Sequence, residues 1–268
     1  MIARSMQRIV DDPGLAPYRL VARPDALARE GLFAVEGRLV LPRLFGSRYR
    51  VHSVLVSDAA RESLADVLAT RPDVRVLTAN VDVINEITGY DFHRGCLALA
   101  FRGEPIEPSN LPRADSRAPI VVLDAVSNPD NIGGIFRSAH AFGAAAVMLG
   151  PGCGDPLYRK AIRTSMGATL DVPWRHAAST LDAIDTVRQR GYRVIALTTD
   201  LTAAPLRDVI AASSAPAAFL LGSEGYGLSP ETISGVDATA RIPMPHAGAD
   251  SLNVAAAASI ALYEATAR

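Results

Sequence analysis

Cysteine is scarce in this chain: its 268 residues include only Cys96 and Cys153, which form no CxxC pair. Two isolated cysteines cannot build a disulfide framework, and their spacing does not suit a zinc or redox motif. The five histidines are scattered and form neither an HxxxH nor an HExxH pair. The sequence therefore predicts a protein without structural disulfides and without a metal site.

Long hydrophobic runs are also missing. Although 49% of the residues are apolar, no uncharged apolar run reaches the roughly 18 to 20 residues that a membrane-spanning helix needs. The first residues, MIARSMQRIVDD, become charged before the apolar core of a signal peptide can form. We expect no membrane segment and a cytoplasmic location.

Lysine is nearly absent, since Lys160 is the only one, and the net charge of -1 does not indicate a strongly basic nucleic-acid binder. Positive charge is concentrated locally, because residues 1–50 hold nine arginines against five acidic residues. Planar guanidinium groups suit phosphate binding and base stacking. A general bias of the composition toward arginine and alanine explains the same excess.

Short apolar runs alternate with amphipathic stretches along the whole chain, which predicts an α/β fold. In the first part we predict strands at 32–35, 51–56, 74–77 and 96–101, with helices near 37–44, 59–69 and 81–87. The segment RGEPIEPSNLPRADSR (102–117) is rich in proline and charge and lacks apolar periodicity. We therefore predict a domain at 1–105, a linker at 106–117 and a second domain at 118–268.

The second domain is predicted to contain a mostly parallel sheet covered by helices on both faces. Its predicted strands and helices alternate. The strands are expected at 119–126, 145–149, 193–198, 217–222 and 239–243, and the helices at 131–142, 156–166, 179–190, 229–234 and 252–266.

The segment NPDNIGGIFR (128–137) follows the buried strand PIVVLDAV directly. Asn131 is predicted to cap the following helix, and Arg137 lies further along its first two turns. Ligands of open α/β sheets bind at the carboxyl ends of the strands. This segment is typical either of a ligand site or of an ordinary strand-to-helix turn with a solvated arginine.

Two later segments also follow predicted strands. In LLGSEGYGLS (220–229), the glycines let backbone amides approach a ligand, and Glu224 offers a carboxylate. In RIPMPHAGADSLNVAAAASIALYE (241–264), Ser251 and Asn253 open an alanine-rich helix whose free N-terminal amides can hold a polar ligand. A glycine-rich helix entry and a simple helix cap are the structural alternatives.

Together the three segments resemble, in order and spacing, the motifs of the SpoU-type (TrmH-type) RNA ribose 2'-O-methyltransferases of the SPOUT superfamily. FAVEGRLV (33–40) and TGYDFHRGCLALA (88–100) are similar to the N-terminal RNA-binding domain of that family. The resemblance implies a trefoil-knotted methyltransferase domain, a rare exception to unknotted topology. It also implies a smaller, L30e-like N-terminal α/β domain and a homodimer with its active sites near the subunit interface.

The resemblance further implies S-adenosylmethionine as the cofactor, contacted around Gly222, Ile242 and Leu252, with Thr198 a further neighbour. It assigns the catalytic positions to Asn131, Arg137, Glu224, Ser251 and Asn253. Arg137 matches the essential arginine of the family, which acts either as a base or by holding a phosphate and stabilising the developing alkoxide. Ala255 departs from the serine that many relatives carry there, and the loop 245–250 is particular to this chain.

RNA is the implied partner, and the candidate contacts in the first domain are Arg38, Arg43, Arg48, Arg50, His93 and Arg94. The two-domain layout favours ribosomal RNA over transfer RNA by analogy. Two other interpretations stay open. LGPGCGDP (149–156) is similar to the glycine loop of a Rossmann-type methyltransferase or dehydrogenase, and a catalytically silent RNA-binding protein on the SPOUT fold would carry the same segments.

Overall fold

The computed structural model describes residues 12–92, 95–114, 118–223, 225–244 and 251–267. The chain divides into two compact units. The first unit extends to Glu104 and also includes Leu157–Leu170, and the second comprises Pro105–Pro156 and the chain from Asp171 onward.

Unit 1 is built on a four-stranded mixed sheet with the order β1-β4-β2-β3. Strand β4 pairs antiparallel with β1 and β2, whereas β2 and β3 are parallel. The unit opens with the 3-10 helix Pro13–Leu20, and its core contains Leu55, Ile84 and Leu97. Its strands are β1 (Leu32–Glu36), β2 (Val51–Ser57), β3 (Arg75–Ala79) and β4 (Cys96–Phe101), and its helices up to Glu104 are α1 (Pro24–Arg29), α2 (Leu41–Gly46), α3 (Asp58–Ser63), α4 (Ala65–Ala69) and α5 (Val81–Thr88).

Among the described residues after Glu104, six β-strands and seven α-helices form unit 2 and the inserted segment of unit 1. The strands are β5 (Ile120–Leu123), β6 (Ala146–Leu149), β7 (Trp174–His176), β8 (Arg193–Leu197), β9 (Ala217–Leu221) and β10 (Ala238–Ala240). The helices are α6 (Pro129–Ala141), α7 (Arg159–Thr164), α8 (Ala168–Asp171), α9 (Thr180–Gln189), α10 (Leu206–Ala211), α11 (Pro230–Ser234) and α12 (Val254–Thr266).

Unit 2 contains a six-stranded sheet with the order β10-β8-β9-β5-β6-β7, in which all pairs are parallel. The four residues of β5 are fully buried, as expected for a parallel strand covered on both faces. The α/β fold with a parallel sheet, predicted from the alternation of the sequence, is confirmed.

Helix α6 packs against α12 through one stripe of its surface. A β-carbon added at Gly134 would lie 3.0 Å from the Ala255 Cβ atom, and the hydroxyls of Ser138 and Ser259 are 2.7 Å apart. Residues 131, 134 and 138 share this stripe because they follow the helical spacing of three and four. Small residues here allow the two helices to approach closely.

The segment Leu157–Leu170, which the sequence analysis placed in the second domain, packs with unit 1. Helix α7 lies against β1, and its residues Ala161 and Ile162 are buried. The Arg159 guanidinium donates to the Glu36 carboxylate at 3.0 Å and lies 4.0 Å from the centroid of the Tyr90 ring. An ion pair, a cation–π contact and apolar burial thus attach this segment.

Several elements differ from the sequence prediction. Asn131 does not cap a helix: Asn128 is the N-cap residue, and its side chain accepts from the Asp130 amide at 2.8 Å. Pro129 suits the first helical position, so α6 begins earlier and Asn131 is buried inside it. The three-residue strand β7 and the six-residue helices α1 and α10 were not predicted because their apolar patterns are too short.

Within the described residues, no helix is both long and apolar enough to cross a membrane.

Candidate functional site

A cavity of about 580 Å³ lies in unit 2, where three neighbouring parallel strands end. Leu197 and Thr198 come from the end of β8, Leu221 and Gly222 from the end of β9, and Ile242 from the chain after β10. The carboxyl ends of parallel strands are the general ligand-binding edge of such sheets. The volume lies within the range of small-molecule sites.

The loop after β9 forms one wall of this cavity as a tight hairpin. Ser223 and Gly227 make an isolated antiparallel bridge, with the Gly227 amide donating to the Ser223 carbonyl at 3.1 Å. A β-carbon at Gly222 would lie 2.5 Å from the Gly227 carbonyl carbon and 2.8 Å from the Leu228 nitrogen. Only glycine fits this position without moving the backbone. Glu224, a predicted catalytic residue, lies outside the described residues.

Another wall comes from the segment that enters α12. Ser251, Leu252 and Asn253 line the cavity. Asn253 is the N-cap of α12, and its Oδ1 atom accepts from the Ala255 amide at 2.9 Å. Its Nδ2 atom donates to the Asn131 Oδ1 atom at 3.0 Å, which joins two of the predicted site residues. The Asn253 side chain therefore caps α12 and also links α12 to α6 beside the cavity.

We expect Asn253→Ala to lower the free energy of unfolding by about 1 kcal/mol because the helix loses its N-cap. Asn253→Asp keeps an acceptor oxygen for the Ala255 amide but loses the Nδ2 donor to the Asn131 Oδ1 atom, so it should recover only part of the stability that alanine loses. Urea unfolding followed by circular dichroism measures both. Equal destabilisation by aspartate and alanine would show that the cap does not carry the effect.

Arg137 lies apart from the other predicted residues. Its side chain is exposed on α6, and it does not line the cavity. It forms no hydrogen bond or ion pair with the part of the chain that the structure describes. Within one chain the structure thus brings together Thr198, Gly222, Ile242, Ser251, Leu252 and Asn253, with Asn131 attached through Asn253.

The cavity also contains residues that the sequence analysis did not single out. Thr199 and Ser223 add hydroxyl groups, Met244 adds an apolar surface, and the Tyr226 ring is 98% exposed at the tip of the hairpin. Thr199 follows the predicted cofactor contact Thr198, and Ser223 follows Gly222. Including the next residue after each predicted contact would have identified both. The sequence also indicated that Tyr226 is exposed, because a tyrosine between two glycines in a turn has few neighbours to pack against.

The glycine loop at 149–156 does not form a phosphate cradle. The Gly150 amide donates to the Leu123 carbonyl at 2.7 Å, and the Gly154 amide donates to the Val126 carbonyl at 2.9 Å. Helix α7 begins only at Arg159, so no helix N-terminus opens in this loop. These contacts attach the loop to the end of β5 and to the residues after it. The amides of Gly150 and Gly154 are therefore not available to a phosphate, which contradicts the Rossmann interpretation.

Both thiols are held in their protonated form. Burial raises the pKa of the Cys96 thiol to about 12 and that of Cys153 to about 11. Because the thiolate is the reactive species, we expect both cysteines of the native protein to react with Ellman's reagent at pH 8 at least about a hundredfold more slowly than a free thiol. Unfolding in guanidinium should release both. Labelling of the native protein at the free-thiol rate would contradict this expectation.

No group of three or more metal-ligating side chains occurs among the residues that the structure describes.

Comparison with known proteins places these features in a family. A sequence profile of the SpoU rRNA Methylase family matches residues 118–263. An uncharacterized tRNA/rRNA methyltransferase of Mycobacterium tuberculosis is 38% identical over 263 residues, which cover 96% of this chain and 89% of that protein. The 23S rRNA (guanosine-2'-O-)-methyltransferase RlmB of Acinetobacter baylyi is 30% identical over 197 residues, covering 72% of this chain and 78% of the relative.

Solved structures agree with this assignment. The crystal structure of an AdoMet-bound rRNA methyltransferase from Sinorhizobium meliloti superposes with a TM-score of 0.80 at 26% identity. The match covers 95% of this chain and 94% of that one. The family predicted from the three motifs is confirmed: the chain belongs to the SpoU rRNA methylase family of RNA methyltransferases.

Proposed function

We propose that this protein methylates a ribose 2'-hydroxyl in structured RNA, specifically ribosomal RNA, and that S-adenosylmethionine is the methyl donor. The observation that carries the proposal is the cavity at the ends of β8, β9 and β10, where the glycine hairpin and the Asn253 cap meet in a chain of this family. The RlmB relative, named as a 23S rRNA guanosine 2'-O-methyltransferase, supports the ribose hydroxyl as acceptor.

The residues of the cavity fit the proposed cofactor. S-adenosylmethionine combines an apolar adenine with a polar ribose and amino acid, and the walls provide both characters. Leu221, Ile242 and Leu252 offer apolar surface, whereas Thr198 and Ser251 offer hydroxyl groups. When bound, the cofactor supplies an electrophilic methyl group on sulfur. The protein's task is to orient it, and the backbone around Gly222, Ile242 and Leu252 is proposed to do so.

Transfer of a methyl group to a ribose hydroxyl requires an aligned acceptor and the loss of a weakly acidic proton. A guanidinium stays protonated at neutral pH. We therefore assign Arg137 to holding the phosphate next to the acceptor and stabilising the developing alkoxide. Ser251 or a water molecule passes the proton of the ribose hydroxyl on to solvent, and Asn131, Glu224 and Asn253 complete the polar site.

Since Arg137 is exposed and does not line the cavity of its own chain, we propose a homodimer in which it serves the partner's cavity. Cyclic two-fold dimers are the commonest soluble oligomers. In the same proposal unit 1 is an L30e-like domain that captures RNA, the methyltransferase domain carries the trefoil knot, and the protein acts in the cytoplasm.

The experiment is methyl transfer from radiolabelled S-adenosylmethionine to purified ribosomal and transfer RNA, followed by nuclease digestion and identification of the labelled nucleoside. We expect label in a 2'-O-methylated nucleoside of ribosomal RNA. Label in transfer RNA alone would identify a transfer-RNA enzyme, and label on a base would refute ribose methylation. A protein that binds RNA and cofactor but transfers no methyl group would be a silent member of the family.

A further inference from the structure

One end of the unit 1 sheet carries a cluster of arginine and aromatic side chains, formed by Arg48, Tyr49, Arg50, His52 and Phe101. We call it the Arg50–Phe101 cluster. Strand β2 begins at Val51 and the antiparallel strand β4 ends at Phe101, so these residues meet at the same end of the sheet. Arg48, Tyr49, Arg50 and His52 are close in the sequence, and the strand register brings Phe101 beside them, since the Phe101 amide donates to the Arg50 carbonyl.

The two arginines are stacked on rings. The guanidinium carbon of Arg50 lies 3.6 Å from the centroid of the Phe101 ring, and that of Arg48 lies 5.0 Å from the Tyr49 centroid. Arg48 also donates to the Tyr49 hydroxyl at 2.9 Å. Tyr49 is only 5% exposed, and its ring packs edge-on against Phe33 with centroids 5.0 Å apart. Stacking on a fixed ring restricts a guanidinium that would otherwise be mobile.

Arg48 and Arg50 are exposed, and neither has an acidic partner among the residues that the structure describes. Other arginines of unit 1 differ, since Arg71 pairs with Asp73 at 2.8 Å. The pKa of His52 is lowered by burial and then by the charges of Arg50 and Arg75, which agrees with a locally positive surface.

Phe33 and Ala100, at the outer ends of the segments 33–40 and 88–100 that resemble the family's RNA-binding motifs, adjoin the cluster, whereas the glycines of those segments lie elsewhere. Gly37 follows β1 and Gly95 precedes β4, and both therefore lie at the opposite end of the sheet, where the Gly37 amide donates to the Cys96 carbonyl. The seven residues of β2 separate the two ends, a distance of roughly 20 Å at about 3.3 Å per residue. The structure thus separates Arg48 and Arg50 from Arg38, although all three were predicted as RNA contacts.

We propose that the Arg50–Phe101 cluster is a second RNA-binding site, which takes a phosphate and an unpaired base of the substrate. Guanidinium groups bind phosphate through fixed donor forks, and planar groups stack on the bases of single-stranded loops. The proposal rests on the proposed function, because it assumes that RNA is the substrate. A substrate that contacts both ends of the sheet must extend over the full length of β2.

The test compares full-length Arg48→Ala/Arg50→Ala with Arg71→Ala, a control that removes an arginine already paired with Asp73. The probe is a fluorescein-labelled RNA hairpin with an unpaired loop. We expect the double variant to raise the Kd about tenfold and to reduce the slope of log Kd against log salt by about 0.7, the value for one lost phosphate contact. The control should change neither quantity, and thermal unfolding should show that both variants fold.

Phe101→Leu keeps apolar volume but removes the stacking surface. It should weaken RNA binding about threefold to tenfold and leave the salt slope unchanged, because no charge is lost. A double variant with the Kd and slope of the control, or a wild-type protein that does not bind the hairpin, would overturn the second site. Equal competition by polyglutamate would also overturn it, in favour of an acidic protein partner.

The outcome is distinguishable from failure of the proposed function. If the double variant loses RNA affinity while the wild type transfers no methyl group, the RNA-binding site stands and ribose methylation fails. If the wild type methylates RNA and the double variant retains native affinity, ribose methylation stands and the second site fails.

Discussion

Gly222→Ala is expected to abolish detectable binding of S-adenosylmethionine, or to raise its Kd by at least about tenfold, which corresponds to about 1.4 kcal/mol. The added methyl group would lie 2.5 Å from the Gly227 carbonyl carbon and 2.6 Å from its oxygen. These atoms belong to backbone and cannot rotate away, so the hairpin must move. Because that hairpin is one wall of the cavity, the change reaches the ligand directly. Isothermal titration calorimetry measures the affinity.

Gly46→Ala is the matched control for this substitution. Gly46 ends α2 in unit 1, and nothing lies within 4 Å of the position that its β-carbon would take. It should leave cofactor affinity unchanged, and the melting temperatures of both variants establish that each remains folded. Native affinity in Gly222→Ala would mean that the cavity is not the cofactor site.

Arg137→Ala is expected to lower kcat for RNA methylation by about 100- to 1,000-fold, with cofactor affinity unchanged, because it removes a preorganised donor to developing negative charge. Arg137→Lys should recover only part of the loss, since an ammonium keeps the charge without the planar fork. Single-turnover methylation with saturating cofactor measures the step. Arg207→Ala, which removes an exposed arginine paired with Glu264 at 2.8 Å, should retain native kcat.

The proposed homodimer allows a sharper test of the same residue. The Arg137→Ala and Gly222→Ala variants are each expected to be inactive alone. The two variants are mixed in equal amounts under conditions that allow subunits to exchange. If Arg137 serves the partner's cavity, a mixed dimer regains one intact site, and a statistical mixture recovers about a quarter of native activity. If Arg137 serves its own cavity, both sites of every mixed dimer remain defective. An inactive mixture with demonstrated subunit exchange would therefore refute the shared site.

The sequence predicted the strands of both sheets well wherever an apolar run was long. Strand β9, predicted at 217–222, is observed as Ala217–Leu221, because five buried residues in a row leave little doubt about its type. Strand β7 was missed because its three residues, Trp174–His176, are not fully buried and show no alternation. Edge position in the sheet, which allowed this irregularity, is not visible in a sequence.

The candidate site was predictable to the extent that it follows strand ends. Gly222 and Ile242 could be placed from the pattern and the family motifs, and both line the cavity. The role of Asn131 was mistaken locally, because two asparagines compete for the cap and the choice of Asn128 depends on where the backbone turns. The hydrogen bond from Asn253 to Asn131 joins residues 122 positions apart, and no local rule predicts such a contact.

The segment Leu157–Leu170 has a consequence for how this protein can be divided or recombined. The polypeptide passes between the two units three times, after Glu104, after Pro156 and after Leu170. A truncation before residue 105 would leave Ala161 and Ile162 without the strand that buries them, and Arg159 without Glu36. Chimaeras that exchange unit 1 between relatives must therefore transplant both the chain up to Glu104 and the segment Leu157–Leu170. The part of the gene that encodes unit 1 is thus discontinuous.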